Sequence, residues 1–145
     1  MDRDVSQKYL AQQIMSASPA KLVAMLYERA ITLLRETVEA IEAGDVARRW
    51  KANGKATEVI SHLWGTLDRE RGGEIAENLN RIYGFMMMRL TMIDVENNAQ
   101  AAREVIELLE PLRRSWQELA NGEPARAGTK SRSDVAAPTQ VSLSA

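Results

Sequence analysis

Apolar residues recur at steps of three and four from Leu22 to Leu119, and no proline falls between Pro19 and Pro111. That period belongs to helices rather than to the alternation of a strand. Local punctuation divides the run into four. Ser18-Pro19 can open the first helix, because a serine side chain accepts from an early backbone N–H and proline at the first helical position forfeits no hydrogen bond. Gly44-Asp45 ends it, glycine supplying the left-handed turn and aspartate the cap of the next helix. A second helix is predicted over residues 46 to 71, closed by Gly72-Gly73, and a third from Glu74 to Glu96. Asn97-Asn98 then turns the chain into a fourth that ends near Leu119 and that Pro111 is expected to kink. Helices of this length on two-residue turns fold back on their predecessors. The expected fold class is therefore all-α, an antiparallel up-down four-helix bundle over residues 18–120, preceded by a short N-terminal segment or helix at 1–17. From Asn121-Gly122 onward the composition shifts to Gly, Pro, Ser, Thr and Ala. So few large apolar residues cannot offset the entropy of ordering, and residues 121–145 read as a disordered tail.

Two helices carry more apolar surface than one core face requires. On the third, Ile75, Leu79, Ile82, Tyr83, Met86, Leu90 and Ile93 share about 100° of arc, a sufficient core stripe. Phe85, Met88, Met92 and Val95 cluster on a different face, beside Arg81 and Glu74. Exposed methionines with an aromatic make an adaptable surface for a partner helix. The same face could instead pack on another bundle helix or in a self-dimer. The first helix spreads Leu22, Val23, Leu26, Tyr27, Ile31, Leu33, Leu34, Val38 and Ile41 over half its circumference, as a helix touching two neighbours would. On the second, Trp50, Val59, Ile60, Leu63, Trp64 and Leu67 are expected on the core side, with Lys51, Lys55, Glu58, His62 and Arg69 solvated.

A length of 145 residues suits one domain, and 45% hydrophobic with 27% charged residues is ordinary for a globular chain. Nineteen basic against twenty acidic residues leave a net charge of −1, which disfavours nucleic acid. Cysteine is absent, so disulfides, thiol nucleophiles and cysteine metal sites are excluded together, and a reducing compartment fits. No apolar run reaches membrane-span length and the start Met-Asp-Arg-Asp is charged, so neither membrane insertion nor a signal peptide is expected. The expected location is the cytoplasm. Candidate chemistry is sparse. His62 is the only histidine, which rules out the paired Glu-x-x-His of di-metal bundles. A phosphotransfer role for it would want a lysine three residues on, where Gly65 stands. Gly72-Gly73 lacks the Gly-Lys-Ser/Thr of a phosphate loop, and Arg48-Arg49-x-Lys51-x-x-x-Lys55 lacks aromatic interleaving beyond one tryptophan. No catalytic, cofactor-binding or metal-ligating set emerges, and no enzyme activity is expected.

Three segments resemble the flagellin export chaperone family, often called FliS. Tyr9 and Ile14 lead into Ser16-Ala17-Ser18-Pro19, and Leu22, Met25, Leu26 and Tyr27 are similar to the family's Ser-Pro-x-x-Leu followed by Met-Leu-Tyr. Thr66-Leu67-Asp68 and Gly72-Gly73-Glu74-Ile75-Ala76, continuing through Asn78-Leu79 and Ile82-Tyr83 to Met86 and Arg89-Leu90, resemble its second-to-third-helix junction. Glu104-Val105-Ile106, Leu109, Leu112-Arg113 and Trp116 resemble its last helix. The likeness spans about residues 9 to 120. Glu28-Arg29 and Gly84-Phe85 depart from the family's usual Asp-Gly and polar-aromatic pairs. The resemblance implies a bundle without cofactor that binds the disordered C-terminal segment of flagellin, blocks its premature polymerisation, and docks at the export gate when loaded. It implies partner-binding roles for Tyr9, Ile14, Leu22, Met25, Leu26 and Tyr27, to which the excess face adds Phe85, Met88 and Met92. It also suggests that the N-terminal segment can lie over a groove as a displaceable lid. A monomer or weak dimer is expected. The alternatives are a histidine phosphotransfer-like signalling bundle and a helical oligomerisation domain.

Overall fold

A computed structural model of the chain describes Val5, residues 7–9 and residues 18–122. Four long helices fill the last stretch: α1 Pro19–Glu42, α2 Val46–Gly65, α3 Arg69–Glu96 and α4 Ala99–Ala120. Val5 and residues 7–9 are helical ahead of them, and no strand occurs among the described residues. Ile14 lies outside the described residues, as do residues 123–145 of the tail expected at 121–145.

Each long helix begins on a side chain that accepts from a first-turn N–H: Ser18 from Lys21 at 3.2 Å, Asp45 from Arg48 at 3.0 Å, Asp68 from Arg71 at 3.2 Å and Asn98 from Ala101 at 3.0 Å. Such caps satisfy donors that the helix itself leaves open. The turn after α1 does double duty. Gly44, at φ +70°, donates to Ile41 O at 3.1 Å, and the Asp45 N–H reaches back to Ala40 O at 2.8 Å. That pairing closes one helix on the residue that caps the next. Asn97, at φ 53° and ψ 48°, turns the chain after α3 in the same left-handed conformation.

The second helix stops earlier than its sequence pattern suggests. It ends at Gly65, where the Thr66 N–H bonds His62 O at 3.1 Å and the Thr66 hydroxyl donates to Leu63 O at 2.8 Å. Asp68 then caps a fresh turn, so the segment expected to finish α2 begins α3 instead. Gly73 breaks α3 near its start with φ 55° and ψ −131°, a conformation that essentially only glycine tolerates. At the other end of the chain, α4 runs through Pro111 as one helix.

Cross-helix bonds establish the up-down order. Arg48 of α2 reaches Glu39 of α1 at 3.1 Å, and Asn53 of α2 donates to Leu90 O of α3 at 2.9 Å. Farther along, the Trp64 indole donates to Asn80 at 2.8 Å, so rising numbers in α2 meet falling numbers in α3. Between α1 and α4 the pairs are Lys21 with Gln117, Arg35 with Glu110 and Glu42 with Arg103, again antiparallel. The four helices form a square in which α1 and α3 are diagonal.

Alanines let three of the helices approach closely. Ala24, Ala30 and Ala40 of α1, Ala52 and Ala56 of α2, and Ala101 and Ala102 of α4 are buried where those helices meet. The core face of α3 has one buried alanine, Ala76, and otherwise carries Leu79, Tyr83, Met86, Leu90 and Ile93, whose length holds it farther off. The tightest packing accordingly joins α1 to α4 and α2. A polar node fixes α2 to α3. Asp94 accepts from Arg49 Nε at 3.1 Å and from Asn53 Nδ2 at 2.9 Å, while Arg49 also bonds Asn97 at 2.7 Å.

Candidate partner-binding surface

The excess face of α3 is exposed. Phe85 is 47% accessible, Met88 67% and Val95 70%, although the core beside them is closed by other residues. Met92, on the same face, is half-buried against that core. At 100° per residue, Met88 and Val95 lie on the outermost line of α3, while Phe85 and Met92 lean toward α4. There Leu108 and Leu112 are also half-buried, extending the apolar strip across the α3–α4 seam. Arg89 and Glu104 bridge that seam at 2.8 Å, an ion pair in which the Arg89 N–H is not aimed squarely at the carboxylate. A strip with two methionines and a phenylalanine can adapt its shape to an apolar helix laid along it.

A second patch lies elsewhere. Leu22, Met25 and Leu26 are half-buried in the first two turns of α1, where at 100° per residue Leu22 and Leu26 lie toward α2 and Met25 on the outer line. Because α1 and α3 are diagonal, the structure does not bring this patch together with Phe85, Met88 and Met92. An extended ligand would have to pass around the bundle to touch both.

Tyr27 corrects the sequence reading. It is 2% exposed, and its hydroxyl is hydrogen-bonded to that of Tyr83 across the diagonal of the bundle. Its ring faces inward because it shares the face of Ala20, Ala24 and Ile31, so it is a core residue rather than a contact for a partner. Burial pushes the Tyr27 hydroxyl well above its ordinary value, with the neighbouring Tyr83 adding to the shift and a hydrogen bond from Trp116 opposing it. Burial likewise raises Tyr83 to about 12. Because both folded-state values exceed the unfolded value near 10, the stability these hydroxyls contribute is whole below pH about 10 and is lost as pH rises through about 12. Urea unfolding followed from pH 9 to 12 should therefore show a steeper loss for the wild type than for Tyr27→Phe with Tyr83→Phe.

Tyr9 is helical and exposed, as are Val5, Gln7 and Lys8. His62 is exposed on the solvent side of α2. Among the described residues no group of three or more His, Cys, Asp or Glu is placed to hold a metal. Trp50, expected in the core, is 68% exposed. At 100° per residue its position is about 80° from Ile60 and about 140° from Leu63 around α2, and the neighbouring Arg49 takes the inward place to reach Asp94. Periodicity could have found this, since Trp50 and Val59 fall on opposite sides of the helix.

A family model described as flagellar protein FliS matches residues 1–123. The chain belongs to the FliS family. Curated relatives agree: it is 37% identical to the flagellar secretion chaperone FliS of Salmonella typhimurium over 116 residues, covering 79% of this chain and 86% of that one. It is 34% identical to FliS of Vibrio cholerae over 107 residues, 74% of this chain and 79% of that one. The fold likewise matches a bacterial flagellar chaperone crystal structure, with a TM-score of 0.66 at 18% identity over 85% of this chain and the whole of the other. FliS-family kinship places the chain among flagellar secretion chaperones. No helix among the described residues is long and apolar enough to cross a membrane.

Proposed function

We propose that the chain binds the disordered C-terminal segment of flagellin in the bacterial cytoplasm, shields it from polymerisation, and presents it to the flagellar export gate without chemistry of its own. The observation that carries this reading is the exposed Phe85, Met88 and Val95 strip on a bundle whose core is complete without it. The divided placement of the two apolar patches favours a client that wraps, since a compact globular partner would reach only one of them. Wrapping suits a disordered segment, which becomes helical as it buries its apolar side chains and gives up several kcal/mol, roughly 2 to 5, in ordering. Affinity must then come from a large contact area, which two separate patches provide.

Calorimetric titration with a peptide of about 50 residues from the C-terminal end of the same organism's flagellin tests the proposal. One-to-one binding with a strongly negative heat-capacity change is expected, as burial of apolar surface requires. Absence of heat at tens of micromolar, together with a concentration-dependent dimer in sedimentation, would turn the strip into a self-association surface instead.

A further inference from the structure

The first turns of α2 carry a second exposed face, at the end of the bundle away from Leu22 and Met25. Val46 is 59% and Trp50 68% exposed, and the Trp50 indole N–H has no partner among the described residues. At 100° per residue, Ala47 and Gly54 form the crest of this face, with Val46 and Trp50 on the side toward α3 and Lys51 and Lys55 on the side toward α1. Nothing stands within 4 Å of where a side chain on Gly54 would begin, so another helix can come close to the α2 backbone there. Toward α1 the face falls into a cleft of about 400 Å³ with Leu33 and Ala52 among its lining residues and Arg48, Lys51 and Lys55 around it.

Of the three cations lining this cleft, Arg48 is paired, with Glu36 and Glu39, and the other two are not. Glu36 is paired with Arg48 at 3.5 Å, and Asp45 is occupied in capping α2 through the Arg48 N–H at 3.0 Å. Lys51 and Lys55, one helical turn apart, have no carboxylate partner among the described residues. Two adjacent lysines without ion pairs, beside an exposed tryptophan, give this face a cationic side and an apolar side.

We infer that this face of α2 docks an acidic amphipathic helix of a second protein, separately from the client surface. Carboxylates one turn apart on that helix would meet Lys51 and Lys55, its backbone would pass over Ala47 and Gly54, and its apolar side chains would cover Trp50 and Val46. Glu58, exposed on the next turn of the same side, limits the acidic contact to two positions. A nucleic acid strand suits the face less well, because two lysines followed by a glutamate do not make a phosphate track.

The test uses the full chain and a synthetic helical peptide of roughly 20 residues, about 30 Å long, with glutamates one turn apart beside a leucine stripe. A control peptide carries lysine at the glutamate positions. The acidic peptide is expected to bind and alter tryptophan emission, an effect lost in Trp50→Ala, while the control does not bind. Lys51→Glu with Lys55→Glu should lower the affinity by about tenfold or more, since each like-charge contact opposes docking, and Met88→Asp should leave it unchanged. Circular dichroism confirms that the variants stay folded. Equal binding of both peptides, no binding, insensitivity to the lysine reversals, or equal weakening by Met88→Asp would each overturn the inference. Tighter binding of a single-stranded RNA homopolymer than of the acidic peptide would overturn it in favour of nucleic acid.

Discussion

Phe85→Asp combined with Met88→Asp is expected to weaken the flagellin peptide by about hundredfold, close to ~2.7 kcal/mol, with little change in thermal midpoint. Both side chains are largely exposed, so a carboxylate at either position stays hydrated in the free protein. In the complex the same carboxylate would be stripped of water against apolar client side chains, where full burial of a Phe or Met is itself worth about 1.5 to 3 kcal/mol. Met25→Asp should weaken the peptide more mildly, because Met25 lies on the other patch and is already half-buried. Calorimetry beside differential scanning of the free variants checks this. A large drop in midpoint, or unaltered affinity in the double variant, would count against α3 as the client surface.

Asp94→Ala should cost about 2 to 3 kcal/mol of folding stability, the largest effect expected from a polar position. Asp94 serves Arg49 and Asn53 at once, and the Arg49 side chain is only 11% exposed. Removing the carboxylate leaves a nearly buried guanidinium without its counter-charge, which is costlier than removing both members of a pair. Asn53 would keep its bond to Leu90 O, but its own side-chain oxygen is already buried without a partner, so the node has little slack. Asp94→Asn retains an acceptor and should lose less, and Arg49→Met with Asp94→Leu less than Asp94→Ala. Denaturant midpoints at unchanged m-value would establish the order.

Much of this architecture can be read from particular residues. Ser18, Asp45 and Asn98 cap helices because short polar side chains beside helical runs have few other ways to satisfy the first N–H groups, and each is visible without a structure. Asp68 has the same chemistry but was obscured by Gly72-Gly73 four residues on, which looks like the stronger break. The outward strip of Phe85, Met88 and Val95 was legible because its period conflicts with the core stripe of the same helix. Tyr27 was not, since a motif shared with a family says that a residue matters without saying whether it faces a partner or the core. Trp50 failed for the opposite reason: large apolar size suggested burial, whereas its angular position placed it outside. The Asn53–Asp94–Arg49 node joins residues about 40 positions apart, and no local pattern announces such a pairing.

The square of helices is closed by its first and last members, and their alanine-lined seam is the tightest in the bundle. Successive helices can pair as hairpins soon after both leave the ribosome, but the α4-facing side of α1 has no partner until residues 99–120 have been synthesised. For most of its own translation the chain therefore carries an open apolar face, and it gains a closed core only near the end of the bundle sequence.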